Sequence, residues 1–251
     1  MRANYHTHTP RCKHACGEER EYIEAAIEKG FTTLGFSDHV PMPYPNGFVS
    51  GIRMAVSEIS DYTETLCRLR DEYRKEIRIL IGYEAEYMPA YFEEMLRCIR
   101  DYPLDYLIQG QHYVKDEING FYAGRETYDE QKLKDYVDVT LEGMQTGVFT
   151  YLAHPDLINF RGDRALYHAQ MKRLINEAIR LSIPLEVNAL GFLTNRNYPN
   201  DAFFSLASEL GAVFVYGADA HSPDCVLQPE EIPGFSAFLA RNHIRFTELL
   251  L

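Results

Sequence analysis

The sequence predicts an α/β fold of seven successive strand–helix units wound as a parallel βα barrel, on three observations. Short apolar runs alternate with longer helical patterns from one end to the other, the signature of repeated βα units. The length of 251 residues, 46% of them hydrophobic, suits one large barrel core. Metal-binding residue types recur where one apolar run after another stops.

The first run, Arg2–His6, is followed by a helical pattern that Gly30 closes, where a left-handed C-terminal cap is expected. The second, Thr33–Asp38, leads into His39. Ile59, Tyr62, Leu66, Leu69 and Tyr73 then fall at steps of three and four, one apolar stripe on a helix. The third run, Arg78–Glu84, has the near-continuous apolar character (Ile77, Ile79, Leu80, Ile81) of a strand covered on both faces. Asp105–Gln111 is the fourth. The stripe Leu133, Val137, Leu141, Met144 precedes the fifth, Thr150–Ala153, and the stripe Met171, Leu174, Ala178, Leu181 precedes the sixth, Pro184–Asn188. Gly211 closes the helical segment before the seventh, Val213–Gly217. The count is one short of an eightfold barrel, and the tail Ile244–Leu251 reads equally as an irregular strand or a helix. No linker or repeat divides residues 1–251, which read as one domain.

A net charge of -12 argues against general nucleic-acid binding, which needs a basic face to displace counterions. An anionic substrate stays compatible, because bound cations reverse the local field. No apolar run approaches the roughly 20 residues of a membrane span, so no membrane partner is expected. His6 and His8 interrupt any apolar N-terminal stretch, so no signal peptide is expected either. The five cysteines are odd in number and scattered, unlike a disulfide framework, and read as reduced thiols of a cytoplasmic protein. Cys12 and Cys16 flank His14, but a zinc knuckle needs four closing ligands and no second pair of suitable spacing follows.

Seven of the nine histidines fall at or just after strand ends. His6 and His8 close the first strand, two apart and so pointing the same way on an extended chain. His14 lies in the loop beyond. His39 ends the second unit, Glu84 the third, His112 the fourth and His154 the fifth. Asp219 and His221 end the seventh, and the sixth presents Asn188 instead. In a parallel barrel such positions converge on one mouth. Nine imidazole and carboxylate donors are too many for one ion and point to a cluster of zinc, manganese or iron. His168 and His243 lie in or beside helical segments and read as surface residues. The constellation implies a multinuclear metallohydrolase.

The motifs His6-Thr7-His8-Thr9, Ser37-Asp38-His39, Gly82-Tyr83-Glu84, Gln109-Gly110-Gln111-His112, Ala153-His154-Pro155-Asp156 and Gly217-Ala218-Asp219-Ala220-His221 resemble, in order, the signature of the polymerase-and-histidinol-phosphatase (PHP) superfamily. His14 within Arg11-Cys12-Lys13-His14, the Pro-rich Val40-Pro41-Met42-Pro43, Glu84-Ala85-Glu86-Tyr87 and the Gln-Gly-Gln-His block are most similar to its monofunctional bacterial histidinol-phosphate phosphatases. The resemblance implies a distorted (β/α)7 TIM-like barrel holding three divalent ions at the C-terminal strand ends. One ion would take His6, His8, Glu84 and Asp219. A second would share Glu84 and add His112 and His154, and the third would take His14, His39 and His221. Ala218 stands where many relatives have Ser. The resemblance also places phosphate-binding arginines at Arg161 and Arg196.

Three clustered cations suit phosphomonoester hydrolysis, since they generate hydroxide near neutral pH and neutralise phosphoryl charge. The expected reaction is attack on L-histidinol phosphate by a hydroxide bridging the ions joined by Glu84, with Asp219 as a proton carrier and no covalent phosphoenzyme. Glu84, Asp219 and His221 are thus the expected catalytic residues, and the partner is a small-molecule phosphomonoester. Arg53 is a weaker candidate for phosphate. Tyr44, Glu86, Tyr87 and Asp156 are candidates to face the substrate's cationic tail. One alternative is a PHP phosphoesterase acting on another phosphomonoester, a nucleotide or a nucleic-acid end. The other is a non-catalytic metal-binding module, against which stand the filled ligand positions.

Overall fold

Every apolar run of the sequence becomes a strand of one parallel sheet, and the sheet curls into a barrel. The structure is a computed structural model and describes residues 1–45 and 47–249. The strands are β1 (Ala3–Asn4), β2 (Thr33–His39), β3 (Arg78–Ala85), β4 (Tyr106–Gln109), β5 (Tyr113–Val114), β6 (Phe121–Tyr122), β7 (Tyr151–Leu152), β8 (Leu185–Asn188) and β9 (Phe214–Gly217). The large sheet runs β1-β2-β3-β4-β7-β8-β9, and all its pairings are parallel. The chain just beyond β1 and β9 closes the ring: Thr7 bridges Ala220, with His8 N–H donating to Ala220 O at 2.9 Å. This is the sevenfold α/β barrel expected from the sequence. The antiparallel hairpin β5–β6 was not foreseen, because its strands are two residues each and lie inside a loop.

The helices are α1 (Glu19–Glu28), α2 (Ile59–Glu72), α3 (Phe92–Ile99), α4 (Glu130–Gln145), α5 (Arg164–Arg180), α6 (Ala189–Leu193), α7 (Asp201–Glu209) and α8 (Phe235–Arg241). The stripes read in the sequence run along α2, α4 and α5, with Tyr73 and Leu181 at the C-caps, and all their residues are buried except Leu141 and Leu181, which are half-buried. Side-chain caps fix four starts: Asp129, Asp163, Asn188 and Asn200 accept backbone N–H groups of Gln131, Leu166, Gly191 and Phe203. Gly30 and Gly211 adopt φ of 79° and 85°, the expected left-handed ends. No helix among the described residues is long and apolar enough to cross a membrane.

Strand alternation divides the core in two. Ile79, Ile81 and Tyr83 face the helices, while Leu80 joins Ala3, Tyr5, Tyr106, Ile108, Tyr151, Ala153 and Val215 inside the barrel. The same alternation turns Glu84 inward, two and four residues beyond Gly82 and Leu80. Gly82 must be glycine, because a Cβ there would strike the Tyr106 ring. The Tyr106 hydroxyl donates to Tyr5 O at 2.7 Å. The tail settles beneath this interior: Phe246 bridges Phe214, and Leu249 N–H donates to the Tyr5 hydroxyl at 2.9 Å. It is extended with one bridge, and residues 250 and 251 lie outside the described residues.

Candidate metal centre

The inward-facing strand ends deliver donors to the C-terminal mouth of the barrel. His39 is the last residue of β2 and Glu84 the penultimate residue of β3, while His112, His154, Asp219 and His221 follow their strands within four residues. His14 arrives on the loop after a 3-10 turn, Pro10–Cys12, capped by Thr9. His154 and Asp219 hold φ of 30° and 52°, left-handed values that cost non-glycine residues about 1–3 kcal/mol each. Surroundings that fix both side chains must offset that strain.

Four donor atoms enclose one point. His6 Nε2 lies 3.1 Å from His8 Nε2, 3.6 Å from Asp219 Oδ1 and 3.5 Å from Glu84 Oε2. His8 Nε2 lies 3.1 Å from Asp219 Oδ1 and 3.5 Å from Glu84 Oε2. Donors at about 2.0–2.1 Å from a tetrahedral zinc stand about 3.3 Å apart, so this donor set fits an ion. The other oxygen, Glu84 Oε1, faces His154 Nε2 at 2.7 Å and His112 Nε2 at 3.5 Å. A third group gathers His14, His39 and His221, with the Nε2 atoms of His14 and His221 3.0 Å apart. His39 also places Nδ1 3.0 Å from Glu84 Oε2, so Glu84 stands at the centre of all three groups. All nine sequence-predicted donors are brought together.

Acceptors behind the rings set their tautomers. Nδ1 of His6 donates to Glu186 at 2.7 Å, that of His14 to Cys12 O at 2.7 Å and that of His221 to Asp219 O at 2.9 Å. In its neutral form each ring therefore turns an Nε2 lone pair towards the cluster, the state a metal ligand requires. Nitrogen lone pairs facing at 3.0–3.1 Å repel unless a cation or proton lies between them.

The sequence reading missed most of these supporting groups. Glu186 also accepts from His154 N–H and the Asn188 amide, and Asn188 donates to Asp219 Oδ2, each at 3.0 Å. Asp38 lies 3.5 Å from His8 Nδ1. Glu86 accepts from His112 Nδ1 at 3.1 Å. Position carried a signal: Asp38 abuts His39, and Glu86 and Glu186 sit two residues from Glu84 and Asn188, on the same strand face.

Burial pushes the Glu84 and Asp219 carboxyls up, but the surrounding histidines outweigh it and hold both well below the usual carboxylate range. Burial pulls His6 down, yet Glu186, Asp219 and Glu84 raise it to about 10. Burial and the neighbouring His8 push His221 down to about 3. The centre thus combines ionised carboxylates with a neutral His221.

A cavity of about 420 Å³ opens over the donors, lined by His14, His39, Glu84, His112, Asp219 and His221 and by Ile52, Tyr113, Tyr122, Leu190, Arg196 and Tyr198. Arg196 donates to the Tyr198 hydroxyl at 2.7 Å. Arg161 lies outside this lining, in an adjoining cavity of about 380 Å³ that also touches Arg196, with its Nε 3.7 Å from Glu126. A further groove, about 640 Å³, runs past Arg161, Arg164 and Tyr167 and contains none of the nine donors.

Arg53 is not a phosphate group in waiting. It is 1% exposed and bound by Glu86 at 2.5 Å and Glu117 at 2.8 Å. The residues considered for a cationic tail are likewise engaged or outside the cavity. Glu86 serves Arg53 and His112, and the Tyr44 hydroxyl donates to Glu117. Asp156, raised to about 7 by burial, accepts from Asn200 N–H at 2.7 Å. Tyr87 lies outside the cavity lining. His168 and His243 are exposed, and all five cysteines are free.

Comparison with known proteins agrees with this geometry. The PHP domain family profile matches residues 4–189. A protein of Deinococcus radiodurans named probable histidinol-phosphatase is 28% identical, covering 87% of this chain and 85% of its own length. One of the same name from Schizosaccharomyces pombe is 25% identical, over 97% and 86%. Among solved structures, the histidinol phosphate phosphatase of Lactococcus lactis, crystallised with zinc, L-histidinol and phosphate, aligns with a TM-score of 0.73 at 19% identity, over 99% of this chain and 95% of that one. With the profile spanning most of the barrel and the donors gathered at its mouth, the chain belongs to the PHP domain family.

Proposed function

We propose that the protein hydrolyses L-histidinol phosphate to L-histidinol and inorganic phosphate, a metal-dependent step of histidine biosynthesis in the cytoplasm. The observation that carries this reading is one cavity in which Glu84, Asp219 and four histidines share walls with Arg196. Phosphatase relatives that match most of the chain support it, as do the zinc, L-histidinol and phosphate of the Lactococcus lactis structure.

Three divalent ions, zinc, manganese or iron, are the complement we assign. His6, His8, Glu84 and Asp219 would hold one, Glu84 with His112 and His154 a second, and His14, His39 and His221 the third. When bound, such ions supply a nucleophile from water at neutral pH and neutralise charge on phosphoryl oxygens. The remaining work falls to the chain. Arg196 grips two phosphoryl oxygens through its planar fork, and Arg161 is the second contact from the adjoining cavity. Glu84 fixes the spacing of the donor groups. Asp219, held ionised, takes a proton from the attacking water and returns it to the leaving alkoxide, while neutral His221 keeps its lone pair on the site. Water adds to phosphorus as the ester bond breaks, so no phosphorylated residue forms.

The test is kcat/KM for L-histidinol phosphate against a panel of phosphomonoesters and nucleotides, with protein reconstituted separately with zinc, manganese and iron. A preference of about a hundredfold or more for L-histidinol phosphate is expected. Equal rates across the panel would overturn the substrate, and no turnover with any metal would overturn the enzyme.

A further inference from the structure

Histidinol phosphate carries an ammonium and an imidazole besides its phosphate, and the cavity offers these no spare acid. Glu84 and Asp219 are the only carboxylates among the described lining residues, and both are committed to the histidine cluster. The nearest others are engaged. Glu86 is closed between Arg53 and His112. Glu117 accepts from Arg53 at 2.8 Å, from Ser50 at 2.6 Å and from Tyr44 at 3.2 Å. Electrostatic recognition of a cation must come from something other than an ion pair.

What the cavity presents instead is aromatic. Tyr198 is tied to Arg196 and its ring lies 5.6 Å from that of His154, which places it at the phosphate end. Tyr113 and Tyr122 form a separate pair, of which Tyr122 also lines the adjoining cavity with Arg161 and Arg196. They are cross-strand partners in the β5–β6 hairpin, with ring centroids 5.7 Å apart and planes inclined by 54°. Both line the cavity, and Tyr122 stays 40% exposed at its mouth. The Tyr122 ring packs where a Cβ on residue 124 would be, so Gly124 is what lets it lie flat.

The hairpin is held rigidly to the donors. Its loop residue Glu117 binds Arg53, Arg53 binds Glu86, and Glu86 binds His112. Beyond β6, Ala123 N–H donates to His112 O at 2.7 Å. The tyrosine pair is therefore positioned against the ligand set by a buried ionic chain rather than left as a loose surface loop.

We infer that the Tyr113–Tyr122 pair is the subsite for the cationic tail of the substrate, binding the ammonium on its ring faces; this rests on the phosphatase reading proposed above. A ring face attracts a cation through its quadrupole without adding negative charge beside a phosphate. It selects aminated phosphomonoesters over uncharged or acidic ones.

The experiment compares metal-loaded wild type with Tyr122→Ala, Tyr122→Leu, Tyr122→Phe and Tyr113→Ala. It reads the ratio of kcat/KM for L-histidinol phosphate over that for glycerol 2-phosphate. Tyr122→Ala, Tyr122→Leu and Tyr113→Ala should each lower the ratio by about tenfold, chiefly through KM for L-histidinol phosphate, at unchanged bound metal. Tyr122→Phe, which keeps the ring face, should hold the ratio within about twofold. A ratio unchanged in the Ala and Leu variants overturns the subsite alone. Tyr122→Phe falling as far as Tyr122→Ala also overturns it, in favour of the hydroxyl. A wild-type ratio near one overturns the L-histidinol phosphate reading on which the subsite rests.

Discussion

Glu84 is the residue on which the centre turns, because its two oxygens face different donor groups, Oε2 towards His6 and His8 and Oε1 towards His154 and His112. Glu84→Ala should therefore reduce bound metal and lower kcat by about a thousandfold or more, while circular dichroism reports a folded barrel. Near-normal kcat in that variant would remove Glu84 from its shared role. The two arginines separate by position. Arg196→Ala should leave metal content intact and lower kcat/KM by roughly tenfold to a hundredfold, the worth of a charge-assisted pair. Arg161→Ala should cost less, since Arg161 sits in the adjoining cavity beside Glu126. Equal losses in the two variants would place both at the phosphate.

Element by element, strand register and helix ends decide what the residues can do. The β4 motif needs Gly110 because the Glu84 carboxylate occupies the space a Cβ would fill, and Gly217 makes the same allowance for Glu186. Gly110→Ala should displace Glu84, destabilise the fold by about 1–3 kcal/mol and lower metal occupancy measured by elemental analysis. Unchanged occupancy would mean that the strand yields instead. On the outer layer, Arg241 of α8 and Asn242 bind Asp201 at the start of α7. Arg241 holds the Asp201 carboxyl below its usual value of 3.8, against a smaller upward push from burial. A depressed carboxyl stabilises the fold above its unfolded pKa and loses that contribution as pH falls through the folded value. Asp201→Asn should thus lower Tm at about pH 7 by roughly 1–3 °C, the scale of an exposed ion pair. The gap should narrow towards about pH 3, and a gap that widens there would contradict the sign.

At the scale of the whole molecule, the donors crowd like charges and facing lone pairs into a buried site, so bound cations and folding are coupled. Chelation should abolish activity and lower Tm by about 5–15 °C, the shift expected when a ligand present at a hundred to a thousand times its Kd is removed. Returning zinc, manganese or iron should restore both, in an order that identifies the preferred metal. A Tm indifferent to chelator would show that the apo cluster is stable unaided.

The seven strands, the order of their donors and the helical stripes are all legible in the amino-acid sequence. Period and strand-end position are local properties, and His6, His39, Glu84 and Asp219 each close a run that must point inward. The sequence also carried the family, because the motifs lie in order along nearly the whole chain. What stands behind the donors emerges only when the chain folds. Glu186 on β8 reaches His6 from β1, and Glu86 holds an arginine, Arg53, that in sequence looked available for phosphate. The fold alone showed the β5–β6 hairpin beside the mouth, and the left-handed backbone at His154 and Asp219. The physical reason is that a ligand's identity is written in one side chain, whereas its tautomer, charge and spare capacity are set by partners brought close only when the barrel closes.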